Sequence, residues 1–229
     1  MKIRKYSVAL LTMLMIGTAA FLVGCATTGM DRSVKTSNSI QEVDDEIGKM
    51  IIQLDKTSAS LDTLLNPEQT EVKKTFEAYS ENVVQLENEG NRVIKRLEEM
   101  KSQSKEYFAE WEKQGSAYAN PRIRELSEER RLKLAETYAK VPAAGAGIKV
   151  TYLAYLSDLK EIQIFLSNDL TQQGIESITP VANNTANDLE ALKTSLQPVV
   201  AALTEIKAEL QDGTKQAPND QLRSENHGQ

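Results

Sequence analysis

The chain has 229 residues, with 27 Lys+Arg against 33 Asp+Glu, one Cys, one His and six Pro. A single Cys excludes an internal disulfide framework and a Cys-rich zinc site, and the lone His227 removes chemistry built on paired imidazoles. The net charge of −6 argues against a nucleic-acid groove, which needs clustered cations to displace counterions. A charged fraction of 26% with only 5% aromatics points instead to long helices.

Lys2, Arg4 and Lys5 precede an apolar run over residues 8–23. That run falls short of the roughly 20 residues a membrane-spanning helix needs and suits a secretory h-region. It ends in Leu22-Val23-Gly24-Cys25, which resembles the lipobox of bacterial prolipoproteins. The resemblance implies cleavage between Gly24 and Cys25 and lipidation of the Cys25 thiol. The competing reading is an ordinary signal peptide with an incidental Cys. Loss of residues 1–24 removes three cations and leaves 24 basic against 33 acidic side chains, a net of −9. Anionic headgroups repel such a chain, so lipid rather than charge would hold it at a bilayer. Ala26 after the Cys, by analogy with the sorting rule of enteric bacteria, favours the outer membrane.

Residues 25–32 are expected to form the lipidated Cys and a short tether, and residues 33–211 a helical bundle. In the first tract apolar side chains recur at steps of three and four: Ile40, Val43, Ile47, Met50, Leu54, Thr57, Leu61, Leu64, with only Thr57 breaking the stripe. Asn66-Pro67 is expected to stop this helix and start the next, because Pro suits a first turn. The second seam runs Val72, Phe76, Tyr79, Val83, Leu86, Gly90, Val93, Leu97, Met100, Ser104, Tyr107, Trp111 and ends near Gln114-Gly115. Asn120-Pro121 supplies an N-cap and a first-turn Pro. The third tract holds Ile123, Leu126, Leu134, Tyr138 and Val141, then the stretch 142–147, then Ile148, Tyr152, Tyr155, Leu159, Ile162 and Leu166. A turn at 168–171 leads to the fourth seam, Ile175, Ile178, Ala182, Thr185, Leu189, Leu192, Leu196, Val199, Leu203, Ile206, Leu210, which Asp212-Gly213 is expected to end. The polar tail 212–229 reads as disordered. The fold class is therefore all-α: an elongated antiparallel four-helix bundle with coiled-coil-like packing, open to a kink at mid-length.

Phe108-Ala109-Glu110-Trp111-Glu112, followed by Tyr118-Ala119-Asn120, Ile123-Arg124, Leu134 and Tyr138, resembles an uncharacterised bacterial lipoprotein family, a domain of unknown function with a Phe-x-Glu-Trp-Glu motif. Leu166, Leu170, Ile175, Ser177 and Ile178 resemble its second recurring stretch. The chain departs from that pattern at residues 143–147 and at Asn168. The resemblance implies fold and location and supplies no activity.

Glu110 and Glu112 flank Trp111, yet residues two apart on a helix face different ways and do not share a substrate atom. Trp111 reads as a seam anchor near a hairpin end. Arg122, Arg124, Arg130, Arg131 and Lys133 interleave with Glu125, Glu128, Glu129 and Glu136, the pattern of a solvated ion-pair face, with headgroup binding as the alternative. Asp44-Asp45-Glu46 lacks the spacing and central Gly of a calcium loop. Folding the tracts about turns near 67, 119 and 172 sets Gly48 opposite Leu86, Pro142, Gly145 and Gly147 opposite Arg96, Val93 and Asn91, and Pro198 opposite Ala146. Each helix thus places Gly48, Gly90, Pro142, Gly145, Gly147 or Pro198 near one level. Interior Pro removes a helical hydrogen bond and Gly weakens a helix by about 1 kcal/mol. A transverse hinge or small wet site is one reading of that level, and close packing allowed by small residues is the other.

The expectation is a lipid-anchored envelope module, structural or protein-binding, with self-association or an envelope protein as partner, and with no cofactor, metal or nucleic acid. The alternative is an envelope sensor or ligand-binding module with a mid-bundle hinge. No His beside a carboxylate, phosphate-binding glycine loop or Ser elbow favours an enzyme.

Overall fold

A computed structural model describes residues 29–66 and 70–215 of the chain, and side chains over 34–66 and 70–210. Four helices follow one another: α1 (Gly29–Leu65), α2 (Val72–Gly115), α3 (Pro121–Asn168) and α4 (Gln172–Lys215). The chain divides into two units, Met1–Val34 and Lys35–Gln229, and the packing that follows is that of the second. Cys25 and Gly24, the tether residues 25–28 and the tail from 216 lie outside the described residues.

The heptad stripes become the core. All eight sites of the first seam are buried, Thr57 included at 0% exposure. The second seam is buried from Tyr79 to Met100, and Val72, Phe76, Tyr107 and Trp111 pack against the core at its two ends. The fourth seam is buried at Ile175, Ala182 and Thr185 and from Leu189 to Ile206. Each Leu or Ile so buried contributes roughly 1.5–3 kcal/mol before chain entropy is counted.

Side chains reaching between helices give the ring order. Gln53 and Glu46 of α1 meet Asn82 and Arg92 of α2. Tyr79 of α2 donates to the Leu159 carbonyl of α3 at 2.7 Å. Lys140 of α3 pairs with Glu205 of α4 at 2.6 Å, and Lys193 and Lys207 of α4 return to Asp55 and Asp44 of α1. Successive helices are therefore antiparallel neighbours, and the fourth closes on the first.

Four expectations change. Helix α2 begins at Val72, its first seam residue, and not at Pro67; Thr75 N–H to the Glu71 carbonyl opens its ladder. The longer connection moves the α1–α2 register: the Glu46–Arg92 and Glu42–Arg96 pairs set Gly48 level with Gly90, about one turn from Leu86. Ile123 and Leu126 are exposed at 47% and 49%. Further along α3, Arg130 and Lys133 pair with Glu209, six residues before the end of α4 at Lys215. Helical structure also extends past both expected bounds, from Gly29 and through Asp212-Gly213 to Lys215.

The turns follow local chemistry. Asn120 caps α3 through Oδ1, accepting from the N–H groups of Arg122 (2.9 Å) and Ile123 (3.5 Å), with Pro121 in the first turn. At the α3–α4 turn the Thr171 hydroxyl accepts from Gly174 N–H at 3.1 Å, and a Cβ at Gly174 would collide with the Asp169 backbone.

Candidate functional site

The register sets Gly48 level with Gly90, and α1 and α2 run unbroken through that level; on α3, Gly145 and Pro142 lie two to three turns before the Tyr152 that covers Gly90. Gly90 is buried on α2 because the ring of Tyr152 lies directly over it, in the space a Cβ would take. The Tyr152 hydroxyl donates to the carbonyls of Glu87 (3.2 Å) and Leu86 (3.3 Å), so the ring is held at both ends. At Gly145 a Cβ would stand 3.3 Å from Leu97 Cδ1. Gly48 and Gly147 have open space where a side chain would go, and Pro198 faces outward.

Beside Gly48 and Gly90 lies an ionic cluster that the periodicity did not reveal. Glu89 is 7% exposed. Its carboxylate accepts from Arg92 Nε at 3.1 Å and Gln85 Nε2 at 2.7 Å, and the Arg92 fork makes a further close contact to it. Arg92 also reaches Glu46 across the helix boundary at 3.4 Å, and Lys49 holds Glu46 from the other side at 2.8 Å. Hydrogen bonding from Arg92 holds the Glu89 carboxyl below the usual carboxylate range, outweighing burial, and Gln85 adds to it. The local sign of Glu89-x-x-Arg92 was legible as an i,i+3 pair; its burial was not.

A second polar cluster explains the break in the first seam. Thr57 donates to the Gln53 carbonyl at 2.7 Å, and Gln53 Nε2 donates to Asn82 O (3.1 Å) and Oδ1 (3.0 Å). The buried polar groups are thereby paired, as burial demands.

Between α2 and α3, where Pro142, Gly145 and Ala146 withdraw side-chain volume, a groove of about 200 Å³ opens. Ile94 and Leu97 complete its apolar lining, and Glu98, Lys101 and Lys149 stand at it. One turn before Pro142, the Tyr138 hydroxyl is buried with no hydrogen-bond partner among the described residues. Burial raises the phenols of Tyr79, Tyr138, Tyr152 and Tyr155 well above their ordinary value, so each stays protonated at neutral pH.

At the α2–α3 hairpin end, Trp111 packs edge-on to Tyr107 and donates Nε1–H to the Ser127 hydroxyl at 3.0 Å. Phe108 meets Tyr138 edge-on with centroids 5.4 Å apart. The Phe-x-Glu-Trp-Glu motif thus joins two helices, and its two glutamates point away from a common target: Glu110 accepts from Gln114, while Glu112 lies 3.8 Å from Arg131. The nearby cations are committed as well. Arg122 pairs with Glu125, Arg131 with Glu128, and Arg130 and Lys133 with Glu209, while Arg124 donates to the Tyr118 carbonyl. Asp44 binds Lys207 and Asp45 accepts from Gln41. Among the described residues no group of three His, Cys, Asp or Glu is placed to hold a metal ion, and no helix is long and apolar enough to cross a membrane.

Four antiparallel helices around heptad seams define an all-α bundle whose interior is occupied by its own side chains. The chain belongs to the family described as a protein of unknown function, DUF2959, which matches residues 28–210. No curated protein and no solved structure matches it.

Proposed function

We propose that this protein is a lipid-anchored module of the bacterial cell envelope, facing the periplasm from the outer membrane, with a structural or protein-binding role and no catalysis of its own. The observation that carries the reading is the position of the single Cys: Cys25 ends the apolar run 8–23 behind Lys2, Arg4 and Lys5, a few residues before helix α1 begins. Several acyl chains on one residue give a stable anchor where a single chain is marginal. For the binding role, α3 carries an outward stripe of Ala146, Val150, Leu153 and Ile164, with Val150 72% exposed. Apolar side chains in such a row suit a partner helix or a second copy.

The test is Cys25→Ser in the native host, followed by membrane fractionation and labelling with an alkynyl fatty acid. Wild-type protein takes up label and sediments with outer membranes. The variant loses label and leaves that fraction. An unlabelled wild-type protein defeats the anchor. A photo-crosslinker at Val150 reads the binding role: a discrete crosslinked species supports it, and a bare surface opposes it.

A second reading, an envelope sensor or ligand-binding module with a hinge at the Gly90 level, draws on the groove at Pro142–Gly145. Hydrogen-exchange protection at Tyr138 and Val141 that changes on adding envelope extract favours this reading, and unchanged protection counts against it.

A further inference from the structure

We propose that the groove between α2 and α3 binds a linear aliphatic carboxylate, with its acid group at Lys149 and its chain laid along Leu97 and Gly145 towards Pro142. This goes beyond the anchor and the partner surface, and depends on neither.

Three features of the groove select that chemistry. Its lining is apolar at Ile94, Leu97, Pro142, Gly145 and Ala146, and its volume is about 200 Å³. Ligand sites for drug-sized molecules run to roughly 300–1,000 Å³, so this one takes a smaller ligand, and its narrow run between two helices suits a thin chain. Its length follows from the residues along it. Ile94 to Lys101 on α2 runs antiparallel to Pro142 to Lys149 on α3, which at 1.5 Å per residue is roughly 10 Å. The walls persist because Gly145 cannot fill the space and Ala146 fills little of it.

Charge gives the direction. Most cations of the bundle are committed to carboxylates, as Lys49, Arg92, Arg96, Lys140, Lys160 and Lys193 are. Lys101 and Lys149, at opposite ends of the groove, make no ion pair among the described residues. Glu98 stands one turn from Lys101 on α2, whereas the α3 neighbours of Lys149 are the apolar Ala146, Val150 and Leu153. On a chain of net charge −6 this leaves one cationic end on an apolar slot. A carboxylate meets the Lys149 ammonium there while its methylenes cover Ile94 and Leu97.

The experiment titrates the purified full chain with butanoate, hexanoate, octanoate and decanoate, reading methyl resonances of Ile94 and Leu97. Octylammonium serves as the charge control, and Ala146→Leu, which fills the groove from an exposed helical site, as the control for partitioning elsewhere. Affinity should climb about fourfold for each methylene, the equivalent of about 0.8 kcal/mol, until the chain spans the groove, and then level off. Ala146→Leu should weaken octanoate by more than tenfold, and Lys149→Glu should reverse the preference between octanoate and octylammonium. Lys101→Glu should have the smaller effect, because Glu98 already stands at that end. Octylammonium binding as well as octanoate, a shift that survives Ala146→Leu, or no saturable shift at millimolar octanoate overturns the proposal.

Discussion

Replacing Gly90 with Ala sets two effects of known sign against each other. Ala is the better helix former by about 1 kcal/mol, and on an exposed helix the change would stabilise the protein. At this site the new methyl occupies the position of the Tyr152 ring. The ring must move, which in a packed core costs about 1–3 kcal/mol. Its hydroxyl also loses its bonds to the Leu86 and Glu87 carbonyls, which contribute about 1 kcal/mol. The balance is a loss of about 1–3 kcal/mol, and at about 2–4 °C per kcal/mol for a domain of this size, a drop in Tm of roughly 2–12 °C. Thermal and urea unfolding measure it, and a double-mutant cycle tests the cause. With Tyr152→Leu in place the obstruction is gone, so Gly90→Ala should become stabilising by up to about 1 kcal/mol. A raised Tm for Gly90→Ala alone, or the same loss in both backgrounds, refutes the reasoning.

The Glu89 cluster predicts a dependence on acid. Because Arg92 depresses the Glu89 carboxyl in the folded state, its contribution is complete above the ordinary glutamate range and disappears as pH falls through the lower folded value. Urea midpoints should hold steady near neutral pH and fall in acid, with Glu89→Gln flattening part of that fall; an identical profile for the variant contradicts the assignment. Asn120→Ala should cost about 1 kcal/mol by uncovering the N–H groups of Arg122 and Ile123, while Asn120→Asp should keep most of the cap. Equal midpoints for Asn120→Ala and wild type would show that solvent satisfies those donors as well.

The buried seams were legible because steps of three and four are a direct record of which helix face loses water. Ile40 to Leu64 and Leu189 to Ile206 needed no more than that. The same rule failed at Ile123 and Leu126, which stand exposed; periodicity reports a face and says nothing of what packs on it. Pro67 failed for another reason. A first-turn Pro signal is purely local, whereas the start of α2 at Val72 belongs to where Val72 and Phe76 meet the core. Turn positions placed Gly48 one turn away from Gly90, its actual partner in level, and they did not show what packs around these glycines. Tyr152 covering Gly90, the Glu46–Arg92–Glu89 cluster and the α2–α3 groove each depend on rotamers and on two helices at once, which one-dimensional spacing does not encode.

Heptad seams carry an ambiguity, since sliding one helix by seven residues restores nearly the same apolar stripe. The contact of Tyr152 with Gly90 removes it for α2 and α3. One step in either direction would bring the phenol against Val83 or Leu97, where a branched side chain already stands. A large ring seated on a seam residue without a side chain therefore works as an index mark. It lets two rods of repeating pattern meet at a single offset.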